Sequence, residues 1–215
     1  MNIALVTIHT PNYHEMADLT FPGKQEYAKK HGYQLFAKTE NFSERHIGME
    51  KCWYMEILMK ENPDVDWFWW SGTDGLITNH TIKLESIIDT DFDFIVTKDD
   101  NGICADSFLI KNSTIGREYI AHLQEPNQWA TEQANMWLDE AIPKWRSITK
   151  YLPQHIMNSY DTAFYPGNKG LDVFGFRCNW QPGDFLLHAI NGIPTADPYG
   201  WKMDILKKHI SQVVL

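Results

Sequence analysis

Cysteine is scarce and odd in number: Cys52, Cys104 and Cys178 are scattered through 215 residues. An odd, dispersed set excludes a disulfide framework and fits reduced thiols in a cytosol-like compartment. On that reading the sequons at Asn41, Asn79 and Asn112 are chance matches. No apolar run approaches the ~20 residues that cross a bilayer, so no membrane span is expected. MNIALVTIHT also lacks the basic start and long apolar core of a secretory leader. It reads as a buried first strand, and the expected setting is cytoplasmic. Positive charge is short as well, since 19 Lys and Arg face 28 Asp and Glu for a net charge of −9. That balance excludes a protein that tracks nucleic-acid phosphates, and an anionic small ligand would need a local remedy such as a metal ion. Repeats, low-complexity tracts and linkers are missing, and 43% hydrophobic content suffices for one domain over residues 1–215 with a sizeable core. The end, KKHISQVVL, stops without a polar tail, as a fragment of a longer chain would.

Aromatic residues are what the chain has in plenty, with nine tryptophans. Aromatic faces suit both core packing and sugar stacking, and Trp69, Trp70 and Trp137 are read as core. Asn2 to Ile8 is a short apolar run closed by HTPN, the pattern of a buried parallel strand. A helix is expected from Thr20 to Lys30, with Thr20 as cap, Pro22 in the first turn and Gly32 just past the end. Tyr33 to Ala37 returns as a strand. Met49, Cys52, Trp53 and Ile57 share one face of a helix from Met49 to Lys60, closed by Asn62-Pro63. Strands follow at Trp67–Trp70, Phe92–Thr97 and Ser107–Ile110, and helices at Ser113–Leu123 and Glu132–Ala141. Beyond them Pro153, Pro166, Pro182, Pro194 and Pro198 suggest irregular chain. Alternating strands and helices predict an α/β sandwich around a mainly parallel sheet. Ligands of such sheets bind beyond the carboxyl ends of the strands, which gathers HTPN, SGTDG and the segment after Thr97 around one crevice.

The stretch WFWWSGTDGLITN, Trp67 to Asn79, ends an aromatic strand on one carboxylate between glycines. Gly72 and Gly75 let a ligand approach the backbone closely while Asp74 offers an oxygen ligand. Thr-Asp-Gly is also ordinary turn chemistry, so the tetrapeptide alone does not decide.

The wider pattern does. WFWWSGTDGLITN resembles the W-x-W-W-x-D-x-D-A-x-I-x-N segment of glycosyltransferase family 34, the galactosyl, mannosyl and xyloglucan xylosyl transferases. MEKCWYMEILMKENPDVDW resembles the W-x-K helix before that strand, with Lys51 at the lysine. GICADSFLIKNS is similar to G-L-N-x-G-x-F-L-I-R-N, TEQANMWL to D-x-Q-x-A-L, LPQHIMNSY to P-Q-x-x-F-N-x-Y, and GDFLLHAING to G-D-F-x-x-H-F-A-G. The matches run in order across about residues 49 to 192. Three departures stand out. Gly72 replaces the first Asp of D-x-D, Cys104-Ala105-Asp106 replaces N-x-G, and Asn191 is an insertion in the last segment. A member without a transmembrane anchor fits a virus, with the host cytoplasm as its setting, better than the Golgi.

The resemblance implies a GT-A type (Rossmann-like) nucleotide-sugar-binding fold, a UDP-sugar donor, a glycan or glycoprotein acceptor, and retention of anomeric configuration. It implies Mn²⁺, or Mg²⁺, held by Asp74 and His188, with the imidazole neutral. Gly72, Thr73 and Asp74 would meet the donor, Lys51 would offer a cation, and Thr7, His9 and Thr10 would hold base and ribose; His46 is a weaker candidate. Asp106, Glu132 and Gln133 are the candidate catalytic and sugar-binding groups. Glu132 is equally explained by helix N-terminal charge complementarity, and Lys51 by an exposed helix position. Asp184 would serve the acceptor or brace His188. No obvious pair of nucleophile and acid/base carboxylates is present, so front-face displacement is expected, with the departing diphosphate taking the acceptor proton and Gln133 supporting the cationic sugar. Two other readings stand beside this one: a degenerate domain that binds nucleotide or glycan without turnover, and a metal-dependent hydrolase.

Overall fold

The computed structural model describes residues 1–127, 129, 131–162, 170–190 and 197–215. Pro166, Pro194 and Asn191 lie outside the described residues.

Strand β1 (Ile3–Ile8) is buried along its whole length, and β2 (Gln34–Lys38) and β3 (Trp67–Ser71) flank it in parallel. Next come β6 (Gly102–Lys111), β5 (Phe94–Asp99) and β7 (Thr149–Pro153), giving the order β2-β1-β3-β6-β5-β7. Only β6 runs against the other five, so the sheet is mainly parallel. Strand side chains alternate between faces, and here both faces are covered. Phe68 and Trp70 join Cys52, Met55 and Leu58 of helix α2 (Ile47–Glu61) and Tyr119 and Ile120 of α3 (Thr114–His122). Trp67 and Trp69 join Tyr27 and Ala28 of helix α1 (His14–His31) on the other side. Two buried faces explain why WFWW is apolar without alternation. Each ring buried whole contributes roughly 4–6 kcal/mol as an upper estimate, which pins the loop that leaves the strand.

A two-stranded ladder joins β4 (Gly75–Ile77) to β8 (Leu186–His188), with Gly75 opposite His188. A third apolar cluster holds this ladder to the last helix, α6 (Pro198–His209), through Leu76, Leu187, Met203 and Leu206. Helices α4 (Glu132–Asp139) and α5 (Pro143–Ser147) lie between α3 and β7 in the chain. No helix among the described residues is long and apolar enough to cross a membrane.

Several expected boundaries move. Helix α1 begins at His14, so Thr20 is an interior residue whose hydroxyl donates to Met16 O and Thr73 O. Pro22 therefore lies inside the helix, on its exposed side, where the carbonyl it leaves unpaired faces water. Gly32 does take the left-handed position that ends the helix, at φ 72°. The region expected to be irregular contains β7, β8 and α6. Pro198 is the first residue of α6, and Asp197 caps it by accepting from Gly200 N at 2.8 Å.

Candidate active site

The loop after β3 is bonded at every turn. Lys24 Nζ donates to Gly72 O at 2.6 Å, Thr20 Oγ1 to Thr73 O at 2.7 Å, and Thr73 Oγ1 to Ile8 O. Gly72 N donates to Asp106 O at 3.0 Å, and Ala189 N to Asp74 O at 3.0 Å. These bonds come from α1, β1, β6 and the residue after β8, so Asp74 is fixed from four directions before any ligand arrives. Lys24 is fully buried in α1, and that burial lowers its pKa from 10.5 to about 7, with Asp74 pulling the other way.

Asp74, Asp106 and His188 meet at one imidazole nitrogen. His188 Nε2 lies 3.3 Å from Asp106 Oδ2 and 3.5 Å from Asp74 Oδ2. The histidine is only 4% exposed, and Nε2 makes no hydrogen bond. Its other nitrogen, Nδ1, lies 2.8 Å from Asn158 Oδ1 and 3.8 Å from Cys104 Sγ. A proton on Nδ1 given to Asn158 leaves the Nε2 lone pair aimed between the carboxylates, which is the tautomer a metal ligand needs. One ligand atom each from Cys104, Asp106 and His188 lies within 4.8 Å of the others. A divalent cation could take its donors from this group, with Asp74 outside it and 3.5 Å from Nε2.

Without a cation the cluster balances its own charge. Burial works against charge on Asp74, but Lys202 and then His188 outweigh it and hold the carboxyl well below its usual range. Burial also opposes charge on His188, yet Asp74 and Asp106 hold the ring protonated well above its usual pKa. Lys202 Nζ of α6 donates to Asp74 Oδ2. A cation at Nε2 must therefore displace a proton and compete with this ammonium.

A crevice of about 390 Å³ opens above the cluster, lined by Thr10, Asn12, Tyr13, Gly72, Thr73 and Asp74 among others. Asp106 and Lys202 border both it and a neighbouring hollow of about 270 Å³ lined by Asp99, Asn101, Gln133, Trp137 and Tyr160. The three strand-end segments expected to share a crevice thus lie around these adjoining hollows.

Other candidates are placed differently from expectation. Thr7 is fully buried inside β1 and does not reach the crevice lining. His9 is 4% exposed and packs edge-on against Phe21 with ring centroids 4.6 Å apart. Burial, with the Lys24 and His14 charges, takes its pKa down to about 4. Of that trio only Thr10 lines the opening. Lys51 is buried rather than exposed, with Nζ 2.6 Å from Glu132 Oε1, 2.7 Å from Ala105 O and 3.7 Å from Asp106 Oδ1. Its donors are engaged by the chain itself, and it borders a hollow of about 290 Å³ with His46, Asp106, Glu132 and Gln133.

Glu132 is correspondingly committed to Lys51, with Oε2 buried and unpartnered. It fits because residue 48 is glycine, where a Cβ would lie 1.6 Å from Glu132 Oε2. Gln133, the next residue, faces the hollow with Nε2 tied to Ile103 O at 2.8 Å. His46 caps α2, Nδ1 accepting from Gly48 N at 3.2 Å.

Asp184 has both carboxylate oxygens engaged within the chain. Arg177 grips both its oxygens, at 2.5 and 2.7 Å, while Ser159 Oγ and Gln181 N each donate to Oδ2 at 2.9 Å. Ser159 O in turn accepts from His188 N at 2.8 Å, so Asp184 braces the histidine at one remove. Trp69 and Trp70 are core, but Trp137 is 45% exposed and its edge borders the hollow, which corrects its reading as core. Sequence reasoning missed Lys202, Lys24 and Asn158. Asn158 stands at the asparagine of the P-Q-x-x-F-N-x-Y segment and was open to notice there. Lys24 and Lys202 carry no local signal, because their contacts to the loop span 48 and 128 residues.

Comparison with known proteins agrees with the geometry. Two α-1,2-galactosyltransferases of Schizosaccharomyces pombe, one described as uncharacterised, are 23% and 26% identical over 86% and 69% of this chain. The chain spans 65% and 52% of their own lengths. A probable α-1,6-mannosyltransferase of Saccharomyces cerevisiae is 25% identical over 58% of the chain and 37% of that protein. The fold resembles a glycosyltransferase involved in the glycosylation of the major capsid of PBCV-1, with TM-score 0.72, 14% identity, and 97% and 100% of the two chains covered. It also resembles the galactosyltransferase LgtC, solved with donor and acceptor sugar analogues, at TM-score 0.54 and 11% identity over 99% and 96% of the two chains. These likenesses identify the fold as GT-A. The profile of the galactosyl transferase GMA12/MNN10 family matches residues 2–91 and 87–192, across both Asp74 and His188, and the chain belongs to that family, glycosyltransferase family 34.

Proposed function

We propose that the chain is a metal-dependent glycosyltransferase that moves a sugar from a UDP-sugar to a glycan or glycoprotein acceptor with retention of configuration. The observation that carries this reading is the buried Nε2 of His188, without a hydrogen bond, between Asp74 and Asp106, where the hollow that His188 lines adjoins the crevice that Asp74 lines. Asp74 and His188 would hold the cation, which when bound supplies positive charge against the departing diphosphate. Lys202 bridges the two hollows, and its ammonium is placed to leave Asp74 for a donor phosphate. Thr10, Asn12 and Tyr13 line the side of the crevice suited to the nucleotide.

The second hollow suits the sugars. Gln133 is held by Ile103 O and offers a fixed dipole beside the reacting carbon, while Trp137 gives an aromatic edge to an acceptor ring. With its proton on Nδ1 toward Asn158 Oδ1, His188 would offer a neutral Nε2 to the cation. The departing diphosphate takes the acceptor hydroxyl proton on the same face, which accounts for retention without an enzymic nucleophile. The odd number of cysteines, three dispersed along the chain, suits a reducing compartment such as the cytoplasm.

UDP release measured with and without Mn²⁺, in wild type and Asp74→Ala, tests the reading. Dependence on Mn²⁺ and loss in the variant are expected; activity indifferent to both refutes the metal assignment. One observation favours a domain that binds without turnover, namely that Lys202 already neutralises Asp74. Tight UDP-sugar binding with neither transfer nor hydrolysis across an acceptor panel would select that alternative.

A further inference from the structure

Asp106 lies directly across a β-ladder from Gly72. Strands β3 and β6 pair antiparallel with Trp70 opposite Phe108 and Ser71 opposite Ser107, and the next step sets residue 72 against residue 106. Gly72 N donates to Asp106 O at 3.0 Å, which continues the ladder by that step. Residues directly opposite in a ladder project to the same face with their Cβ atoms about 4.5–5.5 Å apart. A Cβ built on Gly72 would lie only 3.7 Å from Asp106 Cβ, 3.6 Å from Asp106 Oδ1 and 2.9 Å from Asp74 Oδ1. Asp106 thus fills the place that a side chain at 72 would take, and two carboxylates there beside Asp74 would crowd like charges.

The chemistry around Asp106 is that of a ligand rather than a structural acid. Its side chain is 46% exposed toward the crevice, and Lys51 steadies Oδ1 from beneath at 3.7 Å. Its other oxygen, Oδ2, faces the orphaned Nε2 of His188 at 3.3 Å. That nitrogen belongs to a ring only 4% exposed, and among the described residues the two carboxylates at 3.3 and 3.5 Å are what it faces, without a hydrogen bond of good geometry to either. Cys104 offers the soft alternative, but its Sγ lies 3.8 Å from Nδ1, the nitrogen that Asn158 occupies.

We propose that Asp106 is a direct ligand of the divalent cation, acting with Asp74 and His188 Nε2, and that it supplies across the ladder the carboxylate that residue 72 lacks. The inference rests on the metal-dependent reading above and adds a third protein ligand to it. The same carboxylate is consequently not free to select the donor sugar, a task left to Gln133 and its neighbours.

The test is Mn²⁺ binding, read by the loss of the free-ion electron paramagnetic resonance signal, with and without UDP. Wild type is compared with Asp106→Asn, Asp106→Gly, Asp74→Asn and the exchange Gly72→Asp/Asp106→Gly, each checked for native circular dichroism. Asp106→Asn preserves shape, so it remains informative if the glycine variant fails to fold. Residue 72 does not take a left-handed backbone, so an aspartate there needs only that Asp74 Oδ1, 2.9 Å from the new Cβ, shift slightly, into space that Asp106→Gly opens beside it. Asp106→Asn is expected to weaken Mn²⁺ about tenfold or more, and the exchange to recover binding to within about threefold of wild type. If Asp106→Asn binds Mn²⁺ as wild type does while Asp74→Asn does not, the inference falls and the metal-dependent reading stands. If wild type binds no Mn²⁺ with UDP present, both fall.

Discussion

Gly48→Ala is the smallest change that should disturb the site from outside it. The new Cβ would lie 1.6 Å from Glu132 Oε2 and 2.6 Å from its Cδ, so the carboxylate must swing away. Swinging costs little in itself, since the end of a glutamate is flexible, but it ends the 2.6 Å contact with Lys51, whose side chain is 4% exposed. Breaking a buried pair from one side costs about 3–5 kcal/mol. Ala105 O at 2.7 Å and Asp106 at 3.7 Å offset part of this, and alanine adds up to about 1 kcal/mol of helix propensity. The net expectation is a loss of about 2–4 kcal/mol, or roughly 5–15 °C in Tm for a domain of this size. Urea unfolding followed by tryptophan fluorescence measures it. In a Glu132→Ala background the same glycine change has nothing to displace and should be neutral or slightly stabilising, a non-additivity that isolates the mechanism. Equal losses in both backgrounds, or no loss in the native one, would refute the argument.

Lys24→Met should stabilise the protein most at neutral pH and below. The folded-state pKa of about 7 lies below the ordinary 10.5, so between those values the unfolded chain holds the extra proton and native stability rises with pH. The variant's advantage should shrink by up to about 5 kcal/mol across pH 7 to 10.5, less the lost bond to Gly72 O; an advantage independent of pH contradicts the burial of charge. Trp137→Ala should raise the acceptor KM about fivefold and leave the donor KM unchanged, as steady-state kinetics would show, whereas a donor effect would move the acceptor elsewhere. Asp184→Ala should lower stability by about 2–3 kcal/mol in denaturant titration while UDP affinity stays within about twofold, as suits a brace that Arg177 grips.

Local chemistry made part of this molecule legible. The aromatic run of β3 reads as a strand because a doubly buried strand needs no alternation, and Gly32 reads as a helix end because a left-handed residue is needed there. Asp74 and His188 could be named from their segments, and the ladder that sets Gly75 beside His188 supplies the reason they meet. Helix α1 was misread because Pro22 usually marks a first turn, and nothing local announces that its freed carbonyl faces water. Helix α6 was hidden by proline density, although Asp197-Pro198 is itself a helix start. Lys51 reads equally as a cation for the donor and as an exposed helix lysine, and only the fold sets Glu132, 81 residues on, against it. Asp106 was visible as a departure, but its ladder partner depends on register between two strands, which periodicity does not set.

The β4–β8 ladder has a consequence in time. Its three residue pairs close a loop of about 110 residues, and closure on that scale costs roughly 4 kcal/mol of chain entropy. Nothing nearby in sequence can repay that, so the ladder waits for the main sheet and for α6, whose Met203 and Leu206 pack on Leu76 and Leu187. During synthesis Asp74 leaves the ribosome more than a hundred residues ahead of His188 and Lys202. A nascent or truncated chain therefore carries the acid without its imidazole, and on the metal-dependent reading proposed above cation binding would be a late event that reports a finished fold.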